Sequence, residues 1–306
     1  MGRIAEALKK AQDERSQRLR VGGGSNSPAI GGATLTPDSP GRALRREAMA
    51  RSARLGSEVR FAAPPVREAE APDSLVPRPA WDVHPNVVSV LDRSCAITEQ
   101  YRAVRTWLLR RNTTSRHECI AITSSVPREG KSVTTANMAV VMSEVRHMNV
   151  LAMDCDLRQG SLAKLYKVPA SPGLADVLSG EATLEEAIRV TPFGNLSYLP
   201  AGICRERNPA EMLNSKTAVR VFEEIRERFH FTMVDTPPVR RLSDVGVIGA
   251  LCTGIVVVVR MNRTASHLVR QSLHWLQANN LDVIGCIAAD CCVRGARYEY
   301  ESDNAS

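Results

Sequence analysis

Residues 119 to 132 read Cys119-Ile120-Ala121-Ile122-Thr123-Ser124-Ser125-Val126-Pro127-Arg128-Glu129-Gly130-Lys131-Ser132, and apolar residues at helical spacing follow from 133 to 145. An apolar run of strand length, a turn carrying Pro127 and Gly130, and a Lys-Ser pair at the mouth of a helix make the layout of a phosphate-binding loop. The pattern is G-x-x-x-x-G-K-[ST], with Ser125 in place of the first glycine. Its chemistry is simple. Backbone N–H groups of the loop and the first helical turn point at phosphate oxygens, Gly130 lets the backbone approach, Lys131 adds a full positive charge, and the Ser132 hydroxyl is a hard oxygen ligand for Mg²⁺. The cradle expected to hold ATP comprises Ser125, Pro127, Glu129, Gly130, Lys131, Ser132 and Val133.

Working outward from the loop, short apolar runs recur at 150–153, Leu196–Leu199, 231–234, 255–259 and 283–288, separated by helix-period segments that include 133–145, 210–228 and 265–278. Buried strands alternating with helices predict an α/β fold: a doubly wound, mostly parallel sheet that places ligands at the carboxyl ends of its strands. Two of the runs end in acids. Asp154 and Asp156 lie two apart, a spacing that directs both carboxylates to one side of an extended backbone. Asp235 opens Asp235-Thr236-Pro237-Pro238 after the run 231–234, in the manner of a Walker B site. Any one of these aspartates alone fits a helix cap; all of them beside a phosphate loop fit phosphoryl transfer better. Ser132, Asp154, Asp156 and Asp235 are the candidate Mg²⁺ ligands, and Lys131, Asp154 and Asp156 the candidate catalytic groups.

The chain has 306 residues, 43% hydrophobic, enough for a sizeable core. The net charge of +7 comes mainly from one end: residues 1 to 80 hold 14 Lys/Arg against 9 Asp/Glu, leaving 26 against 24 for the remainder. That balance gives no footprint for specific nucleic-acid binding. No stretch approaches the roughly 18 to 20 apolar residues of a membrane span, and a cytoplasmic protein is expected. Eight cysteines without a C-x-x-C pair read as reduced core residues. The expected organisation is a short amphipathic helix at 1–20, a Gly/Ser/Pro/Ala/Arg-rich linker at 21–85, the α/β domain at 86–293 and a polar tail at 294–306 with Tyr298 and Tyr300.

Over residues 87–293 the sequence resembles the bacterial tyrosine kinases of capsule and exopolysaccharide biosynthesis, a branch of the MinD/ParA-like P-loop NTPases. Besides the loop and the two acidic sites, the resemblance rests on Glu99-Gln100-Tyr101-Arg102-Ala103-Val104-Arg105, Gly173-Leu174-Ala175-Asp176-Val177-Leu178-Ser179-Gly180 and Asn208-Pro209-Ala210-Glu211-Met212-Leu213. It implies an ATP- and Mg²⁺-dependent protein-tyrosine autokinase, with Asp154 as base toward the tyrosine hydroxyl and Asp156 and Asp235 supporting the metal. It also implies a homo-oligomer contacted through Glu99, Arg102 and Arg105, and Tyr298 and Tyr300 as phosphoacceptors. The implied activator is a membrane-embedded polysaccharide chain-length or co-polymerase protein that holds the kinase at the inner face of the membrane. The alternative is a MinD/ParA-like nucleotide-switch ATPase without tyrosine kinase activity. Such ATPases carry a lysine five positions before the loop lysine, where this chain has Val126. Where the kinases carry an asparagine after the last strand, near the adenine, this chain has Ala289-Asp290.

Overall fold

The computed structural model describes residues 81–112, 117–205, 208–240 and 242–290. The expected N-terminal helix, nearly all of the linker, and the tail with Tyr298 and Tyr300 lie outside the described residues. In chain order the elements are α1 (Val88–Leu91), α2 (Ala96–Arg111), β1 (Glu118–Ser124), α3 (Lys131–Ser143), β2 (Val150–Asp154), α4 (Leu162–Tyr166), α5 (Leu174–Ser179), α6 (Leu184–Ala187) and β3 (Arg189–Val190). There follow β4 (Leu196–Leu199), α7 (Pro209–Leu213), α8 (Lys216–Arg228), β5 (Phe231–Asp235), α9 (Leu242–Leu251), β6 (Gly254–Arg260), α10 (Ser266–Ala278) and β7 (Val283–Ala289).

The strands form one sheet in the order β3-β4-β2-β5-β1-β6-β7. All neighbours run parallel except β3 against β4. The six apolar runs are therefore strands, as their composition requires: a parallel strand covered on both faces cannot alternate polar with apolar residues. One core lies between the sheet and a layer that includes α5, α8, α9 and α10, with Leu151, Met153, Phe222, Ile248 and Leu276 at its centre. The other contains α3 and α4 and is built on Ile120, Ile122, Met138, Met142, Tyr166 and Tyr198. Helix α3 is buried along almost its whole length, and its buried polar side chains turn back on backbone, as where the Thr135 hydroxyl donates to Lys131 O at 2.9 Å and Asn137 Nδ2 to Val133 O at 2.8 Å.

Three features depart from the sequence reading. The folded unit starts before the boundary drawn at 85, because Val83 is buried, the Trp81 ring lies 4.9 Å from that of Tyr166, and the His84 N–H donates to Leu165 O at 2.8 Å. The helix expected over 210–228 is two helices. Ser215 caps the second by accepting from the Ala218 N–H at 3.1 Å, the local alternative that serine offers a backbone. Cysteines 119, 155 and 252 are buried free thiols, whereas Cys286 is exposed on the edge strand β7 and Cys95 caps α2. Among the described residues no helix is long and apolar enough to cross a membrane.

Candidate phosphate-binding site

Strand β1 is central, with β5 on one side and β6 on the other. The phosphate loop leaves its carboxyl end, so the acids at the ends of β2 and β5 flank the loop on one side and the ends of β6 and β7 on the other. Gly130 has φ +97°, a left-handed conformation that favours glycine, and leads directly into α3. Arg128 also adopts positive φ, at 66°, without being glycine. The exit of β5 is fastened to β1: the Thr236 N–H and hydroxyl both donate to Ile122 O at 3.2 and 3.0 Å, and the Val239 N–H donates to Ser124 O at 2.7 Å.

Lys131 is the electrostatic centre. Its Nζ lies 3.2 Å from Asp156 Oδ2, 3.6 Å from Asp235 Oδ1 and 3.3 Å from Ser132 Oγ. Burial works against its charge, but Asp235, Asp156 and Asp154 outweigh that cost and raise its proton affinity above the ordinary lysine value. Asp154 and Asp235 are register partners on adjacent parallel strands, and both are fully buried. Desolvation, reinforced by the charge of Asp235, pushes Asp154 up to about 8. Desolvation also raises Asp235, to about 6, with Lys131 holding it lower than burial alone would.

The acids are arranged differently from the spacing argument. Strand β2 ends at Asp154, and the chain turns back so that the Asp156 N–H donates to Asp154 Oδ1 at 3.1 Å and the Leu162 N–H to Oδ2 at 2.9 Å. Asp154 thus closes its own loop while Asp156 reaches Lys131. Each Asp154 oxygen retains a further lone pair for another donor. Asp235 has both carboxylate oxygens buried with no hydrogen-bond partner among the described residues. Hard oxygens of this kind, paired only at 3.6 Å with the Lys131 ammonium among the described residues and lying beside Asp156 and the Ser132 hydroxyl, fit Mg²⁺. Among the described residues no group of three or more His, Cys, Asp or Glu side chains could hold a metal by itself. That is the usual situation for Mg²⁺, which takes one or two carboxylates and completes its shell from phosphates and water.

The remaining cradle residues divide. Ser125 is buried, its hydroxyl without a partner among the described residues, and Pro127 is exposed on the loop. Val133 is half-buried in the first turn of α3. Glu129 turns its buried carboxylate toward the β6 side, so its part in the cradle would be that of its backbone N–H. Two pairings had no sequence signal because their members are far apart in the chain. One is Glu129 with Thr264; the other is Arg158 with the buried Asp244 of α9, at 2.9 Å.

The Glu99, Arg102 and Arg105 group is committed largely within the chain. Arg102 donates to both Glu144 oxygens, at 2.8 and 2.6 Å, and Arg105 donates to Glu144 at 2.5 Å and to Val141 O at 2.8 Å. Among the described residues the Glu99 carboxylate pairs with Arg102, and its side chain is largely exposed. The segment from Gly173 to Gly180 is a packing device. The Asp176 carboxylate accepts from the Gly173 N–H at 2.7 Å, and a Cβ on Gly173 would lie 2.3 Å from the Gly202 nitrogen.

Residues 117–279 match the family described as AAA domain. The chain is similar to tyrosine-protein kinase ptk of Acinetobacter johnsonii, at 30% identity over 213 residues, covering 69% of this chain and 29% of that protein. It is also similar to tyrosine-protein kinase YwqD of Bacillus subtilis strain 168, at 29% identity over 202 residues, 66% of this chain and 84% of that protein. Among solved structures, the kinase domain of Escherichia coli tyrosine kinase ETK aligns with a TM-score of 0.61 at 25% identity, covering 66% of this chain and 78% of that one. The match spans less than a third of the length of the Acinetobacter protein. The resemblance to bacterial tyrosine kinases drawn from the sequence is borne out by these relatives.

Proposed function

The chain belongs to the AAA domain family, and from that premise we propose that it is an ATP-dependent protein-tyrosine kinase, autophosphorylating, that regulates capsular or exopolysaccharide biosynthesis and export. The observation that carries the reading is the Lys131 ammonium, 3.2 Å from Asp156 and 3.6 Å from Asp235 where the phosphate loop meets the ends of β2 and β5. A cation and a helix N-terminus at that place complement a triphosphate, and the acids complete a site for in-line transfer. The tyrosine oxygen bonds to the γ-phosphorus as its bond to the β–γ bridging oxygen breaks and ADP leaves. Asp154, whose proton affinity burial raises, takes the hydroxyl proton. Lys131 and the first-turn N–H groups of α3 hold the charge on the phosphoryl oxygens. Ser132, Asp156 and Asp235 would hold Mg²⁺, which would supply charge neutralisation at the phosphate groups.

The same reading places the chain at the inner face of the membrane through a membrane-embedded co-polymerase partner, with Tyr298 and Tyr300 as acceptors. Oligomer contacts are assigned to the α2 face, where Glu99 is the accessible member of its group. The test is incubation of the purified chain with Mg-ATP, with and without candidate partners, followed by mass spectrometry for phosphotyrosine. Phosphate on Tyr298 or Tyr300 that is lost in Lys131→Met and Asp154→Asn supports the kinase. ATP turnover with no phosphotyrosine under any of these conditions replaces it with a nucleotide-switch ATPase.

A further inference from the structure

A glutamate inside a phosphate loop is the wrong charge for its neighbours, since a carboxylate beside phosphate oxygens repels them. Glu129 avoids that conflict by facing away. It is 2% exposed, and its oxygens are taken by three donors. The Val126 N–H donates to Oε2 at 2.7 Å. The Arg260 N–H donates to Oε1 at 3.3 Å, and the Thr264 hydroxyl makes a short bond to the same oxygen. One donor belongs to the loop itself; the other two belong to the end of β6 and the turn that follows it. A second strap runs alongside, since Arg260 Nη1 donates to Arg128 O at 3.4 Å while its Nε pairs with Asp290 at 3.0 Å.

The Val126 bond closes residues 126 to 129 into a ring, with Arg128 at φ 66° inside it. A left-handed non-glycine residue is disfavoured and persists where surrounding contacts over-determine it. The loop also lacks the first glycine of its pattern, carrying Ser125 there. Its shape is therefore held from outside, by the turn after β6.

We propose that Glu129 is a positioning residue that latches the phosphate loop to Thr264, so that the turn at residues 261–264 sets the geometry of the phosphate cradle. This rests on the nucleotide-binding reading above for its functional consequence but not for its structural one. The experiment pairs two readouts on Thr264→Val, which removes the hydroxyl and keeps the shape, and on Thr264→Ser, which keeps the hydroxyl. Hydrogen exchange at the Val126 amide of the nucleotide-free chain is expected to quicken about tenfold in Thr264→Val, and Mg-ADP affinity by calorimetry to fall by about tenfold. Thr264→Ser should match the parent chain in both. Glu129→Gln should quicken the same amide, and adding Thr264→Val to it should cost little more affinity. Unchanged Val126 exchange in Thr264→Val and Glu129→Gln overturns the latch, whether or not nucleotide binds. Faster exchange with unchanged affinity overturns its control of the cradle. A parent chain that binds no Mg-ADP overturns the proposed function, while the exchange readout still decides the latch.

Discussion

Glu144→Gln should destabilise the chain through the link between α2 and α3. Glu144 follows α3 and accepts three charge-assisted hydrogen bonds, two from Arg102 and one from Arg105. Its side chain is 18% exposed and those of the arginines 24% and 19%, so water screens the group only in part. Hydrogen bonds to charged groups each contribute ~1.5 to 3 kcal/mol. The arginines keep other acceptors after the substitution, Arg102 in Arg93 O and Glu99, and Arg105 in Val141 O. The net loss is therefore well below the sum, about 2 to 3 kcal/mol. For a folded unit of about 200 residues that lowers Tm by roughly 5 to 10 °C. Burial opposes ionisation of Glu144, but the bonds from Arg102 and Arg105 outweigh it and hold its carboxyl below the ordinary 4.5. A depressed carboxyl stabilises above its unfolded value and loses that contribution as pH falls through its folded one. The gap between parent and variant should accordingly be full at neutral pH and shrink below pH 4.5. Urea unfolding across that range is the assay. A variant within about 0.5 kcal/mol of the parent at neutral pH, or a gap indifferent to acid, refutes the link.

Gly173→Ala should cost at least ~2 kcal/mol, because the new Cβ meets backbone atoms of Gly202 and Pro200 at 2.3 and 2.5 Å; a urea midpoint equal to the parent's contradicts that packing. In the absence of nucleotide and divalent cation, the raised carboxyls of Asp154 (about 8) and Asp235 (about 6) contribute stability below their ordinary 3.8 that is lost as pH rises through 6 and 8. Unfolding free energies measured from pH 5 to 8.5 should therefore fall more steeply in the parent than in Asp154→Asn, and parallel slopes would count against the buried charge.

The strands and the phosphate loop were legible because their physics is local: an apolar run, a glycine with positive φ, a lysine at a helix mouth. Helix α9 was not, since Gly246 and Gly249 weaken a helical reading. Both glycines sit under close side chains, since an added Cβ would lie 2.8 Å from Ile255 at Gly249 and 3.3 Å from Trp275 at Gly246. Strand β3 has two residues and no period to detect. The extension of the fold back to Trp81 depends on Tyr166 and Phe193, whose rings the sequence cannot place beside it. Lys131, Asp156 and Asp235 converge as their motifs anticipate, but the orientation of Glu129 follows from Thr264, which lies outside every motif.

The central position of β1 divides the neighbourhood of one short loop into two independent provinces. On the β5 and β2 side Asp154, Asp156 and Asp235 surround the Lys131 ammonium, and replacing any of them changes the chemistry. On the β6 and β7 side the contacts are a hydroxyl, a backbone N–H and a half-exposed ion pair, none of which takes part in the proposed transfer. Variation in the β6 turn and around Asp290 can therefore retune how tightly or selectively a ligand is held while the acids stay fixed, giving the fold a place to diversify at low risk to its reaction.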